Sequence, residues 1–178
     1  SGAVSAAATS SGRPPERAAS RPVCVSVGFT RGIPTHLNGR RVQAIELIGR
    51  LNAMGRVHAI GRSDLVESRI VGIKSREVYE APAGSILLEA HRDLERLVLD
   101  RELLRVKEML APGYARLVYD GLWFTPLRAA LDAFVRETQR PVTGSVRLKL
   151  FKGALRVVGR RAARSEEFEL AGREHDTL

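Results

Sequence analysis

Few side chains in this sequence are spaced for chemistry, and most of them fall between Leu65 and Pro82. There, Glu67, Arg69, Lys74, Arg76, Tyr79 and Glu80 surround a short apolar, hairpin-like segment. Mixed charges on a β connection suit a zwitterionic ligand, whose ammonium meets a carboxylate and whose carboxylate meets a cation. The same charges can also form a salt-bridged structural loop, and residue types alone leave both readings open. Elsewhere the motifs fail. His36, His58, His91 and His175 have no second histidine or carboxylate at metal-ligand spacing, so no metal site is expected. No Gly-x-Ser-x-Gly elbow is present, and no catalytic residue is identified. Gly72-Ile73-Lys74-Ser75 lacks the adjacent Gly-Lys-Ser and the upstream glycine of a phosphate loop, so no ATP-binding residue is assigned. Cys24 is the single cysteine; it sits in an alternating strand-like run and reads as a small strand residue.

Composition bounds the partners. The chain has 178 residues, 44% hydrophobic and 28% charged, which suits one soluble globular domain with tails. No apolar run is long enough to span a bilayer, so no membrane partner is expected. One cysteine and the lack of a secretory pattern in Ser1–Ser20 point to the cytoplasm. The net charge is +9, yet the arginines are scattered through every segment and interleaved with acids. No helix shows a purely basic face, so the charge reads as solvated surface plus sites for small acidic substrates, with no nucleic-acid role.

The elements that must position the charged stretch follow from hydropathy period and turn residues. Residues 1–21 are rich in Ala, Ser, Gly, Pro and Arg and read as a disordered linker, implying a preceding segment. Val23–Thr30 alternates as a strand, Arg31-Gly32 turns, Ile33–Leu37 returns, and Asn38-Gly39 turns again. A helix is expected over Val42–Met54, with Ile45, Leu47, Ile48, Leu51 and Met54 as its apolar stripe and Gly55 as its end. Leu65-Val66 and Arg69–Ile73 read as two β pieces. The next helix runs over Gly84–Val98, with Ile86, Ala90, Leu94 and Leu97 inside and Glu89, Arg92, Asp93 and Arg96 outside. Asp100 caps a helix over Arg101–Leu110 with Leu103, Val106 and Leu110 inward; Pro112-Gly113 ends or kinks it before Tyr114–Tyr119. Thr125-Pro126 opens a helix with Leu127, Ala130, Leu131 and Phe134 inward. Ser145–Phe151 and Leu155–Val158 form a closing hairpin around Lys152-Gly153, and the chain from Arg160 reads as a mobile tail. The expected fold class is α+β: a mixed or antiparallel sheet of terminal hairpins, helices packed on it, and disordered tails. The domain spans 22–160, between the 1–21 linker and a polar tail over 161–178.

The charged stretch resembles the argininosuccinate synthase family, where Val-Glu-Asn-Arg leads through Gly-x-Lys-Ser-Arg to Val-Tyr-Glu-x-Pro-x-Gly; here it reads Val66-Glu67-Ser68-Arg69 to Gly84. Further blocks agree in order: Val27-Gly28-Phe29 with Arg31–Pro34, Gly61-Arg62, Leu99–Glu102, Leu117–Pro126, Val142–Leu150, Lys152-Gly153 and Val157–Arg160. The resemblance covers about Val23 to Arg160 and implies the C-terminal, citrulline-binding half of a ligase that joins citrulline to aspartate in arginine synthesis. It places Glu67 and Tyr79 on the citrulline contacts, with Lys74, Ser75 and Arg76 shaping the site. ATP, with magnesium, would enter as co-substrate through an N-terminal half supplied in cis or in trans; this chain itself would bind no cofactor. Alone it is expected to be inactive, and the family implies a homo-oligomer. Alternative readings are an inactive amino-acid-binding or oligomerisation module, or a related ligase acting on another ureido substrate. Ser68 stands where the family has asparagine, and Glu77 where many members have glycine. The family's long C-terminal arm is replaced by a short polar tail from Ala162.

Overall fold

The computed structural model describes residues 14–69 and 71–163. The expectations for residues 1–13 and 164–178 lie outside the described residues. The two terminal hairpins meet in one antiparallel sheet. Strands β1 (Val23–Thr30), β2 (Ile33–Leu37) and β3 (Arg40–Arg41) come from the first; β6 (Gly144–Phe151) and β7 (Ala154–Ala162) come from the second. The order is β3-β2-β1-β6-β7, with β1 paired to β6 from Val23↔Leu150 to Phe29↔Gly144. The turns adopt the left-handed backbone their residues favour: φ is 51° and 79° at Asn38-Gly39, and 45° and 83° at Lys152-Gly153.

Between the hairpins lie α1 (Ala44–Val57), β4 (Arg62–Ser68), β5 (Lys74–Glu80), α2 (Pro82–Val98), α3 (Arg101–Tyr119) and α4 (Pro126–Thr138). The fold is α+β, as the element pattern implies. Alternation along β1 and β6 sends Val25, Val27, Phe29, Val146, Leu148 and Leu150 to one face of the sheet. Leu47 and Leu51 of α1 and Ile86, Ala90 and Leu94 of α2 cover that face to form the core. Burial of each such side chain contributes about 1.5–3 kcal/mol.

Several expectations are corrected. In α1 the inward ridge is Leu47, Leu51 and Gly55, while Ile45 is 88% exposed. Ile45 lies two residues, about 200°, around the helix from Leu47; Ile48 is exposed as well. Gly55 does not end the helix. It lies inside, because a Cβ there would stand 2.5 Å from Pro82 Cβ, so α2 starts hard against α1 only where a side chain is missing. Asn52 Oδ1 accepts from Ala83 N–H at 3.0 Å and satisfies an amide of the α2 first turn. Asp93 is buried rather than outside, because Arg160 reaches it from the sheet. Arg160 therefore belongs to β7, which runs to Ala162 past the expected end.

Asp100 caps α3 through Leu103 N–H at 2.9 Å, and Thr125 Oγ1 accepts from Arg128 N–H at 3.4 Å at the start of α4. The helix α3 runs unbroken through Pro112. Pro112 and Glu108 are both exposed, so the Glu108 carbonyl that proline leaves without a donor faces water. Val106, Leu127 and Ala130, expected inward, are exposed, because nothing in the described chain covers that side of the α3–α4 pair. Of the 1–21 stretch, Pro15–Arg17 forms a 3-10 turn, and Ala19 N–H donates to Val57 O at 3.1 Å.

Candidate functional site

The charged stretch forms a separate two-stranded hairpin, β4–β5, outside the main sheet. It is tied at its base by Ala81 N–H donating to Gly61 O at 2.8 Å. Gly61 has φ 80°, and a Cβ there would lie 2.7 Å from the Ala81 carbonyl, so only glycine allows this close crossing. At the tip, Arg69 N–H donates to Ile73 O at 2.8 Å and Gly72 N–H to Arg69 O at 2.9 Å, with Gly72 at φ 83°. Of the β piece expected over 69–73, the described residues Arg69 and Val71–Ile73 lie at the turn instead: the positive φ at Gly72 reverses the chain where the apolar residues suggested a strand. The strands lie on either side, from Arg62↔Glu80 to Ser68↔Lys74.

This register sorts the candidates. Residues paired across an antiparallel ladder share a face, and neighbours along a strand alternate. The pairs Ser63↔Tyr79, Leu65↔Glu77 and Glu67↔Ser75 therefore make one face, and Asp64↔Val78, Val66↔Arg76 and Ser68↔Lys74 make the other. Glu67, Ser75 and Tyr79 are brought together; Lys74 and Arg76 are directed away from them.

On the first face, Tyr79 donates its hydroxyl to Glu67 Oε1 at 2.8 Å. That bond, with partial burial and the carboxylate charge, holds the Tyr79 phenol above its usual pKa. Arg69 Nε donates to Ser75 Oγ at 2.9 Å, and its guanidinium pairs with the Glu77 carboxylate. The pairing raises the Arg69 pKa further. Two carboxylates against one guanidinium leave this face with one net negative charge. Glu67, Ser75 and Glu77 are half-buried, although most of the hairpin is exposed. On the opposite face Arg76 grips Asp64 through Nε–Oδ1 at 2.8 Å and Nη2–Oδ2 at 2.5 Å. That bidentate contact lowers the Asp64 pKa. Lys74 Nζ donates to Ser68 Oγ at 3.2 Å.

The first face can therefore bind a positive group. An ionised carboxylate only accepts hydrogen bonds, and Tyr79 fixes one Glu67 oxygen while the other receives no hydrogen bond among the described residues. Arg69 is already occupied by Ser75 and Glu77, so it offers a ligand carboxylate little. Sequence reasoning grouped Arg69 with the charged set and treated Glu77 only as a departure. The period-two alternation of 75, 77 and 79 was the signal that Glu77 joins the face. Among the described residues no group of three or more His, Cys, Asp or Glu side chains could hold a metal ion. No described helix is long and apolar enough to cross a membrane.

Comparison with known proteins adds to this geometry. The family described as Arginosuccinate synthase C-terminal domain matches residues 8–176. The argininosuccinate synthase of Rubrobacter xylanophilus is 56% identical over 151 residues, which is 85% of this chain and 37% of that protein. Those of Roseiflexus castenholzii and Chlorobium phaeobacteroides are 56% and 50% identical, each over 85% of this chain and 38% of their own length. The chain thus spans little more than a third of the length of these relatives.

Proposed function

The chain belongs to the argininosuccinate synthase C-terminal domain family, and on that premise we propose that it supplies the citrulline-binding part of an ATP-dependent ligase joining citrulline to aspartate. The observation that carries the reading is the Glu67–Tyr79 pair, 2.8 Å apart on one hairpin face. Glu67 accepts from the citrulline ammonium with its free oxygen, and Tyr79 holds the carboxylate in place while offering its phenol oxygen to the ligand's polar groups. Ser75 belongs to this site through its hydrogen bond to Arg69, which keeps the guanidinium against Glu77. Lys74 and Arg76 do not contact the ligand in this reading; they stiffen the hairpin from behind.

The net negative face supplies the ammonium subsite and little for the ligand carboxylate or for ATP. Those groups, with magnesium, are assigned to the remainder of a full-length synthase, on the same or another polypeptide. Leu65, Val66, Val71 and Ile73 are exposed on the hairpin, and an isolated two-stranded hairpin is marginally stable in water. Their exposure supports docking of that remainder against the hairpin. Assembly into a homo-oligomer and a cytoplasmic setting accompany the same reading.

The test is product formation from ATP, citrulline and aspartate. The purified chain alone is expected to make no argininosuccinate, and adding the ATP-binding part of a relative is expected to restore it. An ATP- and citrulline-dependent product peak from the chain alone would overturn the division of labour.

A further inference from the structure

We propose that the open face of the five-stranded sheet binds the sugar–phosphate backbone of a single-stranded nucleic acid. The inference rests on how strand pairing sorts the cations of the closing hairpin onto one face of the sheet and adds Arg41 from the opposite edge. None of the five strands, Val23–Thr30, Ile33–Leu37, Arg40–Arg41, Gly144–Phe151 and Ala154–Ala162, contains an Asp or Glu. One face of the sheet is the core face, where Val146, Leu148 and Leu150 are fully buried. Alternation then sends Arg147 and Lys149 outward. The register adds Arg156 beside Lys149, Arg161 beside Ser145, and Arg41 beside His36, itself paired with Gly28.

The result is one face carrying Arg41, Arg147, Lys149, Arg156 and Arg161, all exposed. None of the five forms an ion pair among the described residues. Some arginines elsewhere are neutralised locally: Arg50, Arg76, Arg128 and Arg140 each sit against a carboxylate. Arg160 marks the boundary, because it points to the core side and is neutralised by Asp93. Arg147, Lys149, Arg156 and Arg161 lie on two adjacent strands and repel one another, while Arg41 extends the basic face to the far edge of the sheet; an anion with charges spaced along its length relieves that repulsion.

The shape narrows the anion. Arg147 and Lys149 are two residues apart on β6, about 6.7 Å along the strand, while Lys149 and Arg156 face each other about 5 Å apart. Such a row matches a chain with one charge per repeating unit better than it matches a compact anion. Small residues, Ser26, Gly28 and Ser145, floor a groove of about 310 Å³ on the sheet, bordered by His36. A backbone can approach closely there, with hydroxyls donating to phosphate oxygens. A single strand can follow the row over the sheet, whereas a rigid duplex would present only its nearest phosphates to this surface. Phe151 is the only Phe, Tyr or Trp whose position on the strands faces outward, so little base stacking is available. Binding is therefore independent of base sequence and carried by phosphate contacts.

The experiment is fluorescence anisotropy of labelled oligo(dT) with the full chain across a salt series. Five phosphate contacts predict a slope of log K against log salt of about −3.5, or roughly a hundredfold loss of affinity between 50 and 200 mM salt. Lys149→Gln and Arg156→Gln, both at exposed positions, should each reduce the slope by about 0.7. The combined charge reversal R147E/K149E/R156E/R161E should abolish binding, with far-ultraviolet circular dichroism confirming the fold. No binding at low salt, a slope near zero, or unchanged affinity in the single Gln variants would overturn the proposal. Polyglutamate of equal length competing more effectively than oligo(dT) would overturn it in favour of an acidic polypeptide.

Discussion

Replacing Lys107 by Met tests what pins the α3–α4 pair to the rest of the protein. Glu95 of α2 is 7% exposed, and its Oε1 accepts from Lys107 Nζ at 2.8 Å and from Gln139 Nε2 at 2.6 Å. Lys107 also donates to Thr138 Oγ1 at 3.3 Å, so one ammonium joins α2, α3 and α4. Apolar contact is limited here: Leu117 is the only buried hydrophobic residue of α3 and α4, and Leu103 and Leu104 pack against the core only partly buried. Met keeps the aliphatic stem and removes the charge, leaving a buried carboxylate with one neutral donor. Breaking a buried pair on one side costs about 3–5 kcal/mol. The Lys107 side chain retains 16% exposure, which places the loss near the lower end of that range. For a chain of this size, about 3 kcal/mol lowers Tm by roughly 6–12 °C. Urea unfolding with a two-state fit reads the change directly. Adding Glu95→Gln removes the stranded charge and should recover most of the loss. A loss below about 1 kcal/mol, or a double variant as unstable as the single one, would refute the reasoning, because the pair would then behave as a solvated surface contact.

Gly55→Ala should destabilise by about 1–3 kcal/mol because its Cβ meets Pro82, whereas Gly49→Ala on the same helix, with nothing within 4 Å, should stabilise by up to about 1 kcal/mol; thermal melts of both compare the two directly. His58 is buried with Nδ1 unpartnered among the described residues, and burial lowers its pKa. The unfolded chain therefore binds the proton first, so stability should fall as pH drops through about 6.5 and below, and His58→Gln should flatten that part of the Tm profile. Finally, the Tyr79 phenol is held above its usual pKa first by its bond to Glu67; ultraviolet titration should show one phenol moving back towards its usual range in Glu67→Gln.

The sheet was legible because its turns are written in Arg-Gly, Asn-Gly and Lys-Gly pairs flanked by alternating strands. Helix caps at Asp100 and Thr125 were equally readable, since each depends on one side chain and one nearby amide. Burial on long-range contacts was not. Asp93 looked like a surface acid until Arg160 arrived from a strand 67 residues away. Gly55 looked like a helix end because its real purpose, room for Pro82, is tertiary. At the candidate site the residue types were legible, but the faces were not. The split depends on where the strands pair, and reading 69–73 as a strand hid the Gly72 turn that sets that register. Once the register is known, Glu67, Ser75 and Tyr79 separate from Lys74 and Arg76 without further assumption. The basic sheet face escaped for the same reason, because the strand register decides which cations of β6, β7 and β3 share a face.

The most direct test of the central reading is calorimetric titration of citrulline into the chain, its Glu67→Gln variant and its Arg76→Gln variant. Loss of one charge-assisted hydrogen bond predicts affinity weakened by roughly 10- to 150-fold in Glu67→Gln, with Arg76→Gln, on the opposite face, binding like the unaltered chain. Unchanged affinity in Glu67→Gln, or an equal loss in Arg76→Gln, would contradict the assignment of the citrulline site to the Glu67–Tyr79 face.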